Sequence, residues 1–123
     1  QLADYVDKYL GKYGDDRQSV LEAIHVAFNG GFVLGAYISG EMKGLAVVIK
    51  MPVGLVMPQY HLVYIGADIA AGSRGIGTRL MEAVRKHTGG SFSLHVDVEN
   101  KKAIKLYEKM GLKKAYYRMI AIK

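Results

Sequence analysis

The 123 residues carry 50% apolar side chains and a formal charge of +6, which suits one domain with a real core. No apolar run reaches the roughly 18 residues of a membrane span, and Gln1-Leu2-Ala3-Asp4 lacks the basic and apolar regions of a signal peptide. There is no cysteine, so disulfides and a thiol nucleophile are excluded and the cytoplasm is the default compartment.

The first segment, Leu2 to Tyr13, places apolar residues at Leu2, Tyr5, Val6, Tyr9 and Leu10, a helical spacing. Gly14-Asp15-Asp16 breaks it, and Asp16 can cap a second helix that runs to about Phe28. Val20, Leu21, Ile24 and Ala27 or Phe28 form its apolar face, and Asn29-Gly30-Gly31 ends it. Two strands, Phe32–Ile38 and Leu45–Lys50, flank a turn-rich link and predict a hairpin. Met51 to Pro58 holds both prolines and reads as a loop. Tyr60–Ala67 is the next strand.

A glycine turn follows, Gly72-Ser73-Arg74-Gly75-Ile76-Gly77, opening a helix from about Gly75 to His87. Its expected buried stripe is Ile76, Leu80, Ala83, Val84 and His87. Phe92, Leu94, Val96 and Val98 then alternate with polar residues as a strand. Asn100 starts a short helix whose Ala103, Ile104 and Tyr107 share a side, and Gly111 closes it. Tyr116 to Ile122 is expected to be a final strand. Helix and strand alternate after residue 60, so the fold class is a mixed sheet covered by helices.

Backbone alone makes the glycine turn an anion site. The first N–H groups of a helix have no internal partner, and the helix dipole puts partial positive charge there. Glycines let a phosphate approach those groups closely. The charge distribution agrees. Residues 1–60 carry five Lys/Arg against six Asp/Glu, whereas residues 61–123 carry twelve against five. The basic half holds the turn, which suits an anionic ligand or nucleic acid.

From Ile65 to Leu112 the chain resembles the GCN5-related N-acetyltransferase (GNAT) family. The family's acetyl-CoA signature, Arg/Gln-x-x-Gly-x-Gly/Ala, is similar to Gly72-Ser73-Arg74-Gly75-Ile76-Gly77, with Gly72 in place of Arg or Gln. Asn100-x-x-Ala103-x-x-x-Tyr107-Glu108-Lys109-Met110-Gly111-Leu112 resembles a second block, Asn-x-x-Ala-x-x-x-Tyr-x-x-x-Gly-Phe, with Leu for Phe. The resemblance implies an α+β fold: a central mixed, mostly antiparallel sheet flanked by helices. It implies one acetyltransferase domain over residues 1–123, in which the family's usual first strand is not visible.

It also implies a chemistry. Acetyl-CoA is the cosubstrate, and a primary amine, of a small molecule or of a protein or peptide, is the acceptor. The main-chain N–H groups of Arg74, Gly75, Ile76, Gly77 and Thr78 would bind the pyrophosphate. Arg74 and Arg79 could add charge toward the phosphates. A main-chain N–H near Ala67 would polarise the thioester carbonyl, with Gly66 beside it favouring a bulge. Such a donor is worth about 2.7–4 kcal/mol in other acyl-transfer enzymes. Asn100 would contact CoA, or cap its helix, or do both. Tyr107 would be the general acid for the leaving thiolate, because a phenol with a pKa near 10 stays protonated at neutral pH. The base is open among His61, Tyr64, Asp68 and His95. Lys101, Lys102, Lys105 and Lys109 could meet the adenosine 3′-phosphate or form an exposed face.

Two further classes stand beside an acetyltransferase. One is a domain of the same fold that holds CoA without turnover. The other is a basic nucleic-acid-binding domain, disfavoured by the absence of RNP, zinc or helix-turn-helix signatures. No metal and no membrane partner are expected, and a homodimer is an open alternative.

Overall fold

A computed structural model describes residues 17–51, 58–67 and 75–123. The expected leading helix, Asp16, most of the Met51–Pro58 loop, Asp68 and the turn residues Gly72 to Arg74 lie outside the described residues. The described chain runs α1 (Arg17–Gly30), β1 (Phe32–Ile38), β2 (Glu41–Lys50), β3 (Tyr60–Ala67), α2 (Ile76–His87), β4 (Phe92–Leu94) and α3 (Lys101–Lys109). The strands form one sheet in the order β1-β2-β3-β4. β1, β2 and β3 pair antiparallel, and β4 joins β3 in parallel. This is the mixed, mostly antiparallel sheet with helices that was expected.

β2 is the central spine. Leu45, Ala46, Val47 and Val48 are each fully buried, because a helix covers each face and alternate side chains enter opposite clusters. Leu45 and Val47 pack with Ile24 and Ala27 of α1. Ala46 and Val48 pack with Leu62 and with Ile76, Leu80, Met81 and Val84 of α2. Burying each Val, Leu, Ile or Met side chain among these stabilises the fold by about 1.5–3 kcal/mol. On α1, Ala27 takes the core position and Phe28 stays 69% exposed. On α2, Met81 joins the expected stripe while His87 is exposed, its ring set against Phe32 at 5.5 Å between centroids.

The β1–β2 hairpin is tighter than expected. β2 begins at Glu41, and only Ser39 (φ 51°) and Gly40 (φ 81°) connect the strands. Two successive residues with positive φ match the right-handed twist of the flanking strands.

Two expected strands change. β4 stops at Leu94 instead of reaching Val98, because its ladder with β3 holds only Phe92, Ser93 and Leu94. Beyond it Asp97 accepts from the Glu99 N–H at 2.8 Å and turns the chain toward α3. The segment from Tyr116 to Ile122 forms no strand. Its composition suits a strand, but a strand exists only as part of a ladder, and no described strand pairs with it. Tyr116, Tyr117, Met119 and Ile122 stand 83–94% exposed.

Gly44 joins the central sheet to the chemistry. It lies opposite Ala67 in the β2–β3 register. A Cβ there would stand 2.6 Å from Ile76 Cγ2 and 3.0 Å from Leu80 Cδ1. The missing side chain therefore lets the first turn of α2 sit directly on the sheet beside the end of β3.

Candidate functional site

Gly75 is the N-cap of α2 with φ 70° and ψ 27°, and no side chain caps the helix. An L side chain in this left-handed conformation costs roughly 1–2 kcal/mol, so the backbone itself calls for glycine. Gly77 is different. Its Cβ would meet nothing within 4 Å, so no described neighbour packs tightly enough to require glycine. Among the described residues nothing stands within 4 Å of a Cβ at Gly75 or Gly77, and the first turn holds no acidic residue. An uncapped helix start with open space above it is a place for an anion.

Ile76 is 4% exposed and Leu80 3%. Their side chains anchor the turn in the core, so only the main chain of Ile76 can face a ligand. Thr78 and Arg79 are exposed. Arg74 lies outside the described residues. Ala67 ends β3 across from Gly44.

The bulge expected beside Gly66 is three residues earlier. Val47 pairs with Tyr64 and Val48 with Leu62, so Val63 is the extra residue. Gly66 keeps regular register with Leu45. Its missing side chain makes room for Tyr64, whose phenol oxygen would lie 1.9 Å from a Cβ at Gly66. A second departure from simple pairing is at the other edge. The ladder between β3 and β4 ends at Leu62 and Leu94, while β3 runs on to Ala67. The two parallel strands at this edge thus part beyond Leu62 and Leu94, and Leu62 packs with Ile76 at the start of α2.

Tyr107 is half-buried on α3 and packs against the cluster that holds Ile76, Leu80 and Leu62. It shares that core with the glycine turn, although 32 positions separate it from Gly75. Burial raises its pKa above the ordinary 10.0, so the phenol stays a proton donor across the neutral range. One contact that sequence patterning did not single out ties this helix to α2. Arg85 of α2 donates from Nη2 to the Met110 carbonyl at the end of α3. Thr88 closes α2 by donating its hydroxyl to the Val84 carbonyl at 2.8 Å.

Asn100 is the N-cap of α3, its Oδ1 accepting from the Ala103 N–H at 3.2 Å. Asn100→Ala is expected to cost about 1 kcal/mol in stability. Asn100→Asp keeps the accepting oxygen and the stability but loses the amide donor. Urea denaturation and acetyl-CoA titration of both variants separate capping from a ligand contact. Lys101, Lys102, Lys105 and Lys109 are all exposed on α3.

His61 and His95 come together, with ring centroids 4.6 Å apart. The sequence named both residues without pairing them, and it did not single out Ser93, whose Oγ lies 2.8 Å from His61 Nδ1. Strand register supplies this signal: His61 and Ser93 are direct partners in the parallel ladder. Burial first, and His95 second, lower the His61 pKa from 6.5. At low pH the unfolded chain therefore binds more protons than the fold. The His61 contribution to stability is complete above about pH 6.5 and is lost as pH falls through the lower, folded value. Urea midpoints should fall between pH 7 and pH 5, and His61→Gln should flatten that fall.

Among the described residues no group of three or more His, Asp or Glu is placed to hold a metal, and no helix is long and apolar enough to cross a membrane. A groove of about 500 Å³ between β1 and α2, lined by Leu34, Ala36, Ile38, Ile76, Leu80 and Arg79, includes neither Tyr107 nor the two histidines.

Comparison with known proteins adds three findings. The family model described as Acetyltransferase (GNAT) family matches residues 2–112. The N-alpha-acetyltransferase RimI of Mycobacterium tuberculosis is 34% identical over 93 residues, 70% of this chain and 58% of that relative. The chain thus spans a little over half the relative's length. Among solved structures, a ribosomal-protein-alanine N-acetyltransferase from Brucella melitensis biovar Abortus superposes with a TM-score of 0.70 at 15% identity, covering 98% of this chain and 93% of the other. A structure of AAC(6')-Iy in complex with the bisubstrate analog CoA-S-monomethyl-acetylneamine gives 0.68 at 16% identity, with 93% and 84% covered. At these identities the superpositions speak to the fold.

Proposed function

Because the chain belongs to the acetyltransferase (GNAT) family, we propose that it transfers an acetyl group from acetyl-CoA to a primary amine. The observation that carries this is the start of α2: a left-handed Gly75, an open Gly77 and no side-chain cap, set against the end of β3. That cradle fits a pyrophosphate held by the main chain of residues 74–78. Ala67 at the end of β3 supplies the N–H for the thioester carbonyl, and Asn100 contacts CoA while it caps α3. Acetyl-CoA supplies an activated acyl group. Tyr107 donates the proton that the departing thiolate needs, and its half-buried setting keeps that proton in place until transfer.

For the acceptor we favour the α-amine of a peptide or protein, by likeness to the N-alpha-acetyltransferase relative. An α-amine has a pKa of about 8, against about 10.4 for an alkyl amine, so it is more readily freed of its proton. The cytoplasm is the compartment in this proposal, and a homodimer is an assembly that sedimentation would detect.

Thermal unfolding with acetyl-CoA is the first test. Ligand at about 100 times its dissociation constant stabilises a fold by about 2.7 kcal/mol, and no shift at millimolar acetyl-CoA would overturn the proposal. Thiol release across a panel of peptide α-amines and small amines is the second. A thermal shift without release from any amine would make the domain a CoA binder.

A further inference from the structure

Three polar side chains meet where β3 and β4 part. His61 faces Ser93 across the ladder, and His95 lies two residues further along, its ring tilted 60° to that of His61. They share the α1 side of the sheet. Ile49, opposite His61 on β2, packs into the α1 cluster, whereas Phe92 and Leu94, the neighbours of Ser93, pack into the α2 cluster. Tyr107 packs into the α2 cluster too. A phenol and a pair of imidazoles thus lie on opposite faces of the sheet near the parting of the strands. Acyl transfer uses a base at the attacking amine and an acid at the departing sulfur, and a thioester lying in the gap between the strands would have one group on each side.

We propose that His61 and His95 together form the base that takes the proton from the acceptor ammonium, with Ser93 as a positioning residue. This rests on the acetyl-transfer function proposed above. Ser93 holds the ring: in the tautomer whose Nδ1–H donates to Ser93 Oγ, Nε2 presents its lone pair. Burial and His95 both favour the neutral ring of His61, the form that can accept a proton at pH 7. The groups that face His61 from its flanking strands are Ile49 on β2 and Ser93 and His95 on the β4 side. Of these, His95 alone is titratable.

Two protons leave the nitrogen in all. The histidine pair takes the first and returns it to water. The freed lone pair forms the N–C bond to the acetyl carbon, and the C–S bond breaks with its electrons on sulfur. Tyr107 protonates the thiolate, and the second nitrogen proton, lost as the amide forms, restores the phenol.

The test is the double variant His61→Gln/His95→Gln, assayed by thiol release from a peptide α-amine. At pH 7 turnover should fall by about 10²–10⁴-fold, the usual contribution of a positioned base. The acetyl-CoA thermal shift should be unchanged. At pH 9, where an α-amine of pKa near 8 has already lost its proton, most of the deficit should vanish. Ser93→Ala should show a smaller deficit with the same recovery. If the double variant fails to fold, His95→Gln alone, at an exposed position, carries the test. A wild-type rate at pH 7, or a deficit that is the same at pH 7 and pH 9, overturns the proposal. A wild-type protein that releases no thiol overturns the acetyl-transfer function itself, and the histidine proposal with it.

Discussion

Tyr107→Phe should bind acetyl-CoA like the wild type and turn over about 10²–10⁴-fold more slowly, the range a positioned general acid contributes. The substitution is clean because it keeps the ring. Tyr107 packs against the cluster of Ile76, Leu80 and Leu62, and a phenylalanine preserves that packing, so stability should change little. What disappears is the hydroxyl. A thiol has a reference pKa near 8.5, so the thiolate is a moderate leaving group and a donor speeds its departure without being indispensable. Because burial raises the Tyr107 pKa above 10.0, the wild type should keep its acid function through the whole neutral range and lose it only at strongly alkaline pH. Single-turnover thiol release, measured beside an acetyl-CoA titration, checks both halves. An unchanged rate would remove Tyr107 from the mechanism.

Gly77→Asp should move stability and ligand binding in opposite directions. Gly77 is the second residue of α2, and a Cβ there meets nothing within 4 Å. Leaving glycine in a helix gains up to roughly 0.8–1 kcal/mol, and an acidic side chain in the first turn gains a further 0.3–1 kcal/mol or so from the helix dipole. The free protein should therefore melt higher. The same carboxylate would stand in the space offered to the pyrophosphate, occupying the N–H groups and repelling the phosphates. Acetyl-CoA affinity should drop by at least about 100-fold, or roughly 2.7 kcal/mol. Thermal unfolding with and without acetyl-CoA reads both effects in one experiment. A variant that keeps the wild-type ligand shift would show that the cradle lies elsewhere.

Much of this architecture was legible in the residues themselves. The strand Tyr60–Ala67 has the bounds expected from the chain, and the helix from Asn100 followed from a capping residue, a local signal that needs no partner. The glycine turn was legible because its chemistry is that of a backbone. What failed were judgements that depend on a neighbour. Phe92 to Val98 alternates throughout, yet pairing ends at Leu94. Tyr116 to Ile122 has the composition of a strand but lacks a described strand beside it. Gly66 suggested a bulge because glycine often marks one, whereas here it gives way to the Tyr64 ring and the irregularity falls at Val63.

The candidate site divides in the same way. Gly75, Gly77, Asn100 and Tyr107 could be picked out from the chain alone, since their spacing carries the family pattern and each proposed role belongs to one residue. His61, Ser93 and His95 could not be joined, because their association depends on the register of β4 against β3, and a slip of one residue would turn the partner side chains to the other face. Local patterning thus determined the elements, the glycine that opens α2 and the family. Tertiary structure decided where the parallel strands part, which glycine yields to packing and which to backbone conformation, and which imidazoles face each other. Those are contacts between residues far apart in sequence, and only the folded packing of the sheet and its helices sets them.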